Sequence, residues 1–392
     1  MNLITEKIDM AASPLLILFA FLLPLSTAAG SIGGVLLLAA WLVSGNLKEK
    51  VGEITHNPVA IAVLLYIGLH IVGLLWSEDL AWGLQILKKQ WKLLMFPIFL
   101  TIVKKEHINY YLIAFIAAIT LKASKAYLVW LHIITLPPGS PFTTLGATHV
   151  TYNPMLAIAI YVILQNLLFS KNRPIYLWPQ IILLFFLSGN MFITVGRTGQ
   201  VAFFVLLGVL LFQNFYAHSK KKLIFGLIFI PLLFAVIFNV NPTFRNRINT
   251  AITEIQNSHT KQITSMGCRM WFYQNTFKLL KNHWLVGTGT GDFPIEYKKI
   301  NDVCSPSMPA TDNPHNHYLL ITSQFGIIGL AVLLSIFVAQ LTMAFRKKDN
   351  LTPLRQAFPI FFLVIMLSES YLQVHGTGLL FSLFSSFLYK EL

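Results

Sequence analysis

Residues 222–240 read KLIFGLIFIPLLFAVIFNV, and after Lys222 the stretch carries no charge. As a helix rising about 1.5 Å per residue, it is long enough to cross the roughly 30 Å hydrocarbon core of a bilayer. The apolar run is continuous rather than alternating, which argues against a β-barrel strand. Similar stretches recur along the chain. Candidate spans lie at 12–28, 30–45, 57–76, 91–103, 107–134, 152–170, 175–194, 199–215, 222–240, 317–344, 356–371 and 376–389. The composition agrees: 55% of the 392 residues are hydrophobic, 11% are charged and the mean hydropathy is +0.66. Soluble domains carry about 25% charged residues. A cytosolic globular enzyme, a disordered chain and a disulfide scaffold are therefore excluded. The expected fold is an all-α polytopic membrane protein of about 12 transmembrane helices.

Only one long stretch is polar. It divides one membrane domain into spans 1–9 within residues 1–240, an inserted loop at 241–316, and spans 10–12 within 317–392. The net charge of +14 would suggest nucleic acid in a soluble protein, but here the positive-inside rule accounts for it. With the N-terminus in the cytoplasm, 15 of the 29 Lys and Arg residues fall inside, Lys171 and Arg173 among them. The short outside loops carry four: Lys88, Lys89, Lys92 and Arg197. Both termini are then expected in the cytoplasm and 241–316 outside. The first span, with Lys7 before it and Ser26–Ala29 after it, also fits a cleaved signal peptide, although an uncleaved hairpin with the second span is the expected reading.

The loop holds an aromatic stretch, CRMWFYQNTFKLLKNHW at 268–284. Trp271, Phe272, Phe277, Leu280 and Trp284 share one side at helical spacing, as in an amphipathic helix on a membrane surface or one packed on a core. Gly287–Thr288–Gly289–Thr290–Gly291 follows. It is a tight turn or a phosphate-approaching loop, and it matches no nucleotide fingerprint. The loop ends in Asn313–Pro314–His315–Asn316–His317. Asn313 suits an N-cap and Pro314 the first helical position, which puts His315 in the first turn of the tenth span. The positive helix end favours a neutral imidazole able to accept a proton. Gly326 and Gly329 return near the same face and would let another helix approach.

Other polar signals also point to the outer face. Gly196–Arg197–Thr198–Gly199 opens a span and offers an anion site at a helix N-terminus. Lys122 and Lys125 share a face near the outer end of the fifth span, with Glu369 as a candidate partner. Acids to match the outer basic groups are otherwise scarce. Cys268 and Cys304, the only cysteines, both fall in the loop and are either a disulfide or two thiols. No CxxC or HxxxH spacing supports zinc there.

Together these residues resemble the bacterial O-antigen ligases, within the wider O-antigen ligase and polymerase superfamily. Gly196–Gly199, Arg269 with the aromatic helix after it, and His315-Asn316 followed nine residues later by Gly326-x-x-Gly329 carry the resemblance. It implies a GT-C-like glycosyltransferase, inverting and independent of metal or other cofactor, in the bacterial inner membrane with its active site facing the periplasm. The donor would be an undecaprenyl-pyrophosphate-linked glycan and the acceptor lipid A–core. Carried onto this sequence, Arg197 and Arg269 would grip the pyrophosphate and His315 would deprotonate the acceptor. Asn316 would orient the acceptor or the imidazole, and Lys122, Lys125, Lys88 and Lys89 would meet lipid phosphates. His317, about 200° round a helix from His315, would face elsewhere. O-antigen polymerases and protein O-oligosaccharyltransferases share these motifs. A transporter or flippase is the reading from another class, with Lys122, Lys125, His70, His132 and Glu369 lining a path. Against it, no inverted repeat is visible and most of these charges lie near one face.

Overall fold

The computed structural model describes residues 3–136, 149–169, 176–216, 218–256 and 264–390. Lys171 and Arg173, two cations of the charge count, lie outside these residues. No strand occurs among the described residues. The helices are α1 (Leu3–Leu25), α2 (Thr27–Val43), α3 (Leu47–His56), α4 (Pro58–Val72), α5 (Leu80–Lys89), α6 (Trp91–Ile102), α7 (Ile108–Trp130), α8 (His149–Phe169) and α9 (Leu177–Ile193). There follow α10 (Arg197–Phe215), α11 (Lys220–Val240), α12 (Pro242–Gln256), α13 (Ser265–His283), α14 (Phe293–Cys304), α15 (His317–Arg346), α16 (Thr352–Ile365) and α17 (His375–Leu388).

Every expected span forms a helix, but among the described residues only seven helices are long and apolar enough to cross a membrane alone: α1, α4, α7, α8, α10, α11 and α15. An eighth is counted if α2 and α3, bent by 116° where they meet, are one span. The shortfall has a physical reason. α6 has 12 residues and α17 has 14, and the two pack on each other in the interior. From Gly376 to Leu388 every residue of α17 is buried. A helix enclosed by protein need not match the thickness of the lipid. α11 is the opposite case: 21 residues, apolar all round, none buried. It is the expected surface of a helix solvated by lipid.

The 241–316 segment is itself helical, as α12, α13 and α14 with connections between them. A small satellite core of Phe272, Phe293, Tyr297 and Leu320 fastens α13 and α14 to the start of α15. Asp292, 1% exposed, pins the segment to the link between α4 and α5. Its carboxylate accepts hydrogen bonds from Ser77 Oγ (2.8 Å) and from the backbone N–H groups of Glu78 (2.8 Å) and Asp79 (2.9 Å).

Two sequence expectations are corrected here, and the glycine segment takes the first of its two expected forms. α13 buries Phe272, Asn275, Thr276 and Leu279, whereas Phe277 and Trp284 are exposed, so the five large apolar residues do not form one buried face. Asn275 explains the shift. It lies inside, donating to Ser305 Oγ at 2.6 Å, and turns a polar edge of the helix inward. The glycine turn is a structural joint rather than an open phosphate loop. Its N–H groups are used: Thr288 donates to Ser323 O (2.9 Å), Gly289 to Gln324 O (2.9 Å) and Thr290 to Gly73 O (3.1 Å). What approaches Gly326 is this turn, not another helix. Gly326 breaks α15 with φ 62°, the Ile327 N–H donates to Trp284 O at 2.8 Å, and a Cβ on Gly326 would run into the Leu285 carbonyl. Gly287, at φ 78°, meets the Gln324–Phe325 backbone in the same way.

Candidate active site

The first turn of α10 lies against α8, where a Cβ at Gly196 or Gly199 would collide with Asn153. The two glycines therefore permit the approach that sets Arg197 at the head of α10. Around it the chain gathers two more arginines. Arg197, Arg247 of α12 and Arg269 of α13 line one cleft of about 140 Å³, with Thr198, Ser265, Ser368, Tyr371, Glu254 and Glu369. Glu254 approaches Arg197 Nη1 at 3.8 Å and accepts the Met266 N–H at 3.1 Å. The acids thought scarce at this end of the bundle are thus inside the cleft.

Glu369 is the hinge between the arginines and His315. It stands past the end of α16, and its Oε2 lies 2.6 Å from His315 Nδ1. The other oxygen accepts from Asn313 Nδ2 (2.7 Å) and from the Ser370 N–H (2.9 Å). Asn313 in turn accepts the His315 N–H and the Ser370 hydroxyl, both at 3.0 Å. Tyr273, on α13, shares its hydroxyl proton between the carbonyls of His315 (3.2 Å) and Leu367 (3.1 Å). The Phe272 ring stacks on the imidazole at 6.0 Å between centroids. His315 itself has φ 53°, the left-handed region that few non-glycine residues occupy. This clasp of Asn313, Glu369 and Tyr273 holds it there.

Burial pushes the Glu369 carboxyl up. The His315 hydrogen bond and charge, with the Ser370 N–H and the Asn313 amide, outweigh burial and bring it below the usual value. A carboxylate so held fixes the Nδ1 proton and leaves the lone pair on Nε2. The His315 side chain is 35% exposed, so a hydroxyl can reach that nitrogen. The arrangement offers an oriented base beside three guanidinium groups, a base and an anion clamp within one site.

The structure places the other expected residues differently. His315 is not in the first turn of α15. That helix begins at His317 and is capped by Asn316, whose side chain accepts the Leu319 N–H at 3.1 Å. Asn313 and Pro314 stand before it, and Asn313 serves the clasp instead of the cap. His317 is fully buried on the far side, with Nε2 3.1 Å from the Tyr66 hydroxyl. Glu369 pairs with His315 and not with Lys122 or Lys125. Lys122 lies in a separate crevice, while Lys125, Lys88 and Lys89 are exposed, Lys89 over the Trp82 ring. None of the four lines the arginine cleft. Cys268 and Cys304 are free thiols. Among the described residues no three His, Cys, Asp or Glu side chains gather as a metal-ligand set.

Sequence reasoning missed Arg247, Glu254 and Tyr273, and read Asn313 as a cap only. One signal was present: Arg247 and Glu254 are seven apart, two turns along one face of a polar helix. Residues 182–334 match the family model described as O-antigen ligase. No curated protein matches the chain. The matched stretch contains Arg197, Arg247, Arg269 and His315, while Glu369 comes from beyond it. By that match, the part of the chain that carries the three arginines and His315 is similar to the O-antigen ligase family.

Proposed function

We propose that this protein is an O-antigen ligase of the bacterial inner membrane, with its active site on the periplasmic face. The substrates are an undecaprenyl-pyrophosphate-linked O-antigen donor and a lipid A–core acceptor. The observation that carries the reading is the His315–Glu369 pair, joined through Glu369 to a cleft lined by Arg197, Arg247 and Arg269. The charge bias of the loops supports the orientation.

His315 Nε2 takes the proton of an acceptor sugar hydroxyl as that oxygen attacks the anomeric carbon of the donor. The bond from that carbon to the pyrophosphate oxygen breaks on the opposite side, so the configuration inverts. The bonding electrons leave with the pyrophosphate, where the guanidinium groups neutralise the growing charge. Glu369 stabilises the imidazolium formed at His315. The arginines supply the countercharge in this scheme, and no step requires a metal.

A lipopolysaccharide gel from a strain lacking the protein tests the reading. Loss of the whole O-antigen ladder on core, with lipid-linked polymer accumulating, is expected. A core that carries a single repeat would make the protein a polymerase instead.

A further inference from the structure

We propose that the crevice around Lys122 is a second anion site, which takes the phosphate of a lipid headgroup. The crevice is lined by Ser26, Thr27, Lys122, Thr151, Tyr152 and Gly376, among others. It lies where four elements meet: the α1–α2 turn, the last third of α7, the start of α8 and the start of α17. The Lys122 Nζ is buried there with no hydrogen-bond partner among the described residues. It stands over the Tyr152 ring, 6.0 Å from the ring centre. An ammonium withdrawn from water and left unpaired is costly. A ligand that brings negative charge removes that cost.

The surroundings suit an anion. Ser26 Oγ accepts the Ala29 N–H, which leaves its own proton to donate. α17 starts beside the crevice with no side chain capping its first N–H groups. Lys125 is exposed one turn beyond Lys122, toward the end of α7. Glu369 is engaged with His315 and does not neutralise either lysine. The free volume, about 10 Å³, is roughly that of one water-sized body. One phosphoryl oxygen fits it, with the remaining oxygens at the mouth.

The position gives the site a purpose. Val150 lines the arginine cleft, and the next two residues of α8, Thr151 and Tyr152, line the crevice. The first turn of α8 therefore separates two anion sites. If the cleft holds the donor pyrophosphate, a phosphate held at Lys122 belongs to a second lipid. Assigning that lipid to the acceptor rests on the ligase reading, whereas the anion site does not.

The test counts ligands on the full chain in detergent by native mass spectrometry, with short-chain phosphatidic acid against the matching diacylglycerol. Two phosphatidic acids are expected on the wild type and one on Lys122→Met, with diacylglycerol indifferent to the change. Lys122→Gln repeats the test should the methionine variant fold poorly. An unchanged count in a folded variant overturns the proposal, and leaves the crevice to a water molecule. Transfer assays then assign the source. A KM rising about 10-fold in Lys122→Met for a phosphorylated acceptor, and unmoved for its dephosphorylated form, marks the acceptor. A lost site with neither KM moved marks a resident phospholipid and keeps the anion site. A lost site in a protein that transfers nothing even as wild type keeps the site and rejects the ligase reading.

Discussion

His315 and His317 are two residues apart and live in opposite surroundings. His315 stands before α15 in a left-handed conformation, open to solvent on one edge and held by Glu369, Asn313 and Tyr273. His317 is the first residue of the helix, with no exposed surface, packed against Tyr66 and near His70. Asn316 makes the difference. As the cap of α15 it turns the chain, so that one imidazole meets Glu369, which lines the arginine cleft, and the other enters the interior. The chemistry of a histidine here is set by which side of the cap it occupies. In the proposed reaction His315 exchanges a proton with the substrate, and His317 packs.

Breaking the exposed side should have the largest effect. His315→Ala is expected to lower transfer by roughly 10²–10⁴-fold, the usual contribution of a general base, while the protein still folds and inserts. Next come the arginines. Arg197→Lys, Arg247→Lys and Arg269→Lys each keep charge but lose the planar fork, and a drop of roughly 10–10²-fold per variant is expected in steady-state transfer. An unchanged rate in Arg247→Lys would remove that residue from the clamp.

Glu369→Gln tests the link between the two groups. It should cut the rate by about 10²-fold, because the imidazole loses its orientation and its countercharge. The same variant gives a stability test. The Glu369 carboxyl lies below its ordinary value in the folded protein. Its stabilising contribution is therefore complete above the unfolded carboxyl pKa, about 4.3, and fades as pH falls through the lower folded value. Thermal unfolding in detergent should show the wild type ahead of Glu369→Gln at pH 7, with the gap closing toward pH 3. A constant gap would mean that the charge of Glu369 is immaterial. Asn313→Ala, which loosens the clasp without touching the base, should cost less, about 10-fold in rate. The smallest effect on transfer belongs to the buried side. His317→Ala should stay within about 3-fold of wild type per folded molecule, and lose about 1–3 kcal/mol of stability with the Tyr66 bond and its packing.

How much of this was legible in the sequence differs between the same two environments. The lipid-facing helices were plain, since a segment such as α11 must be apolar on every side. α6 and α17 were visible as apolar segments, but their enclosure was not, because hydropathy does not separate burial in lipid from burial in protein. In the site, Arg197, Arg269 and His315 stood out through local pattern. Glu369 drew notice only as a partner for the wrong cations, since its true partner lies 54 positions away, and such a pairing follows from tertiary contact rather than spacing. Asn313 and Asn316 exchanged roles for a related reason. Either asparagine suits a cap, and the choice depends on where Glu369 stands.

The most direct test is single-turnover transfer by purified His315→Ala and His317→Ala, side by side, with lipid-linked donor and lipid A–core acceptor at matched protein. The account expects His317→Ala to turn over near the wild-type rate and His315→Ala to fall at least about 10²-fold below it. Equal rates in the two variants, or loss confined to His317→Ala, would contradict it.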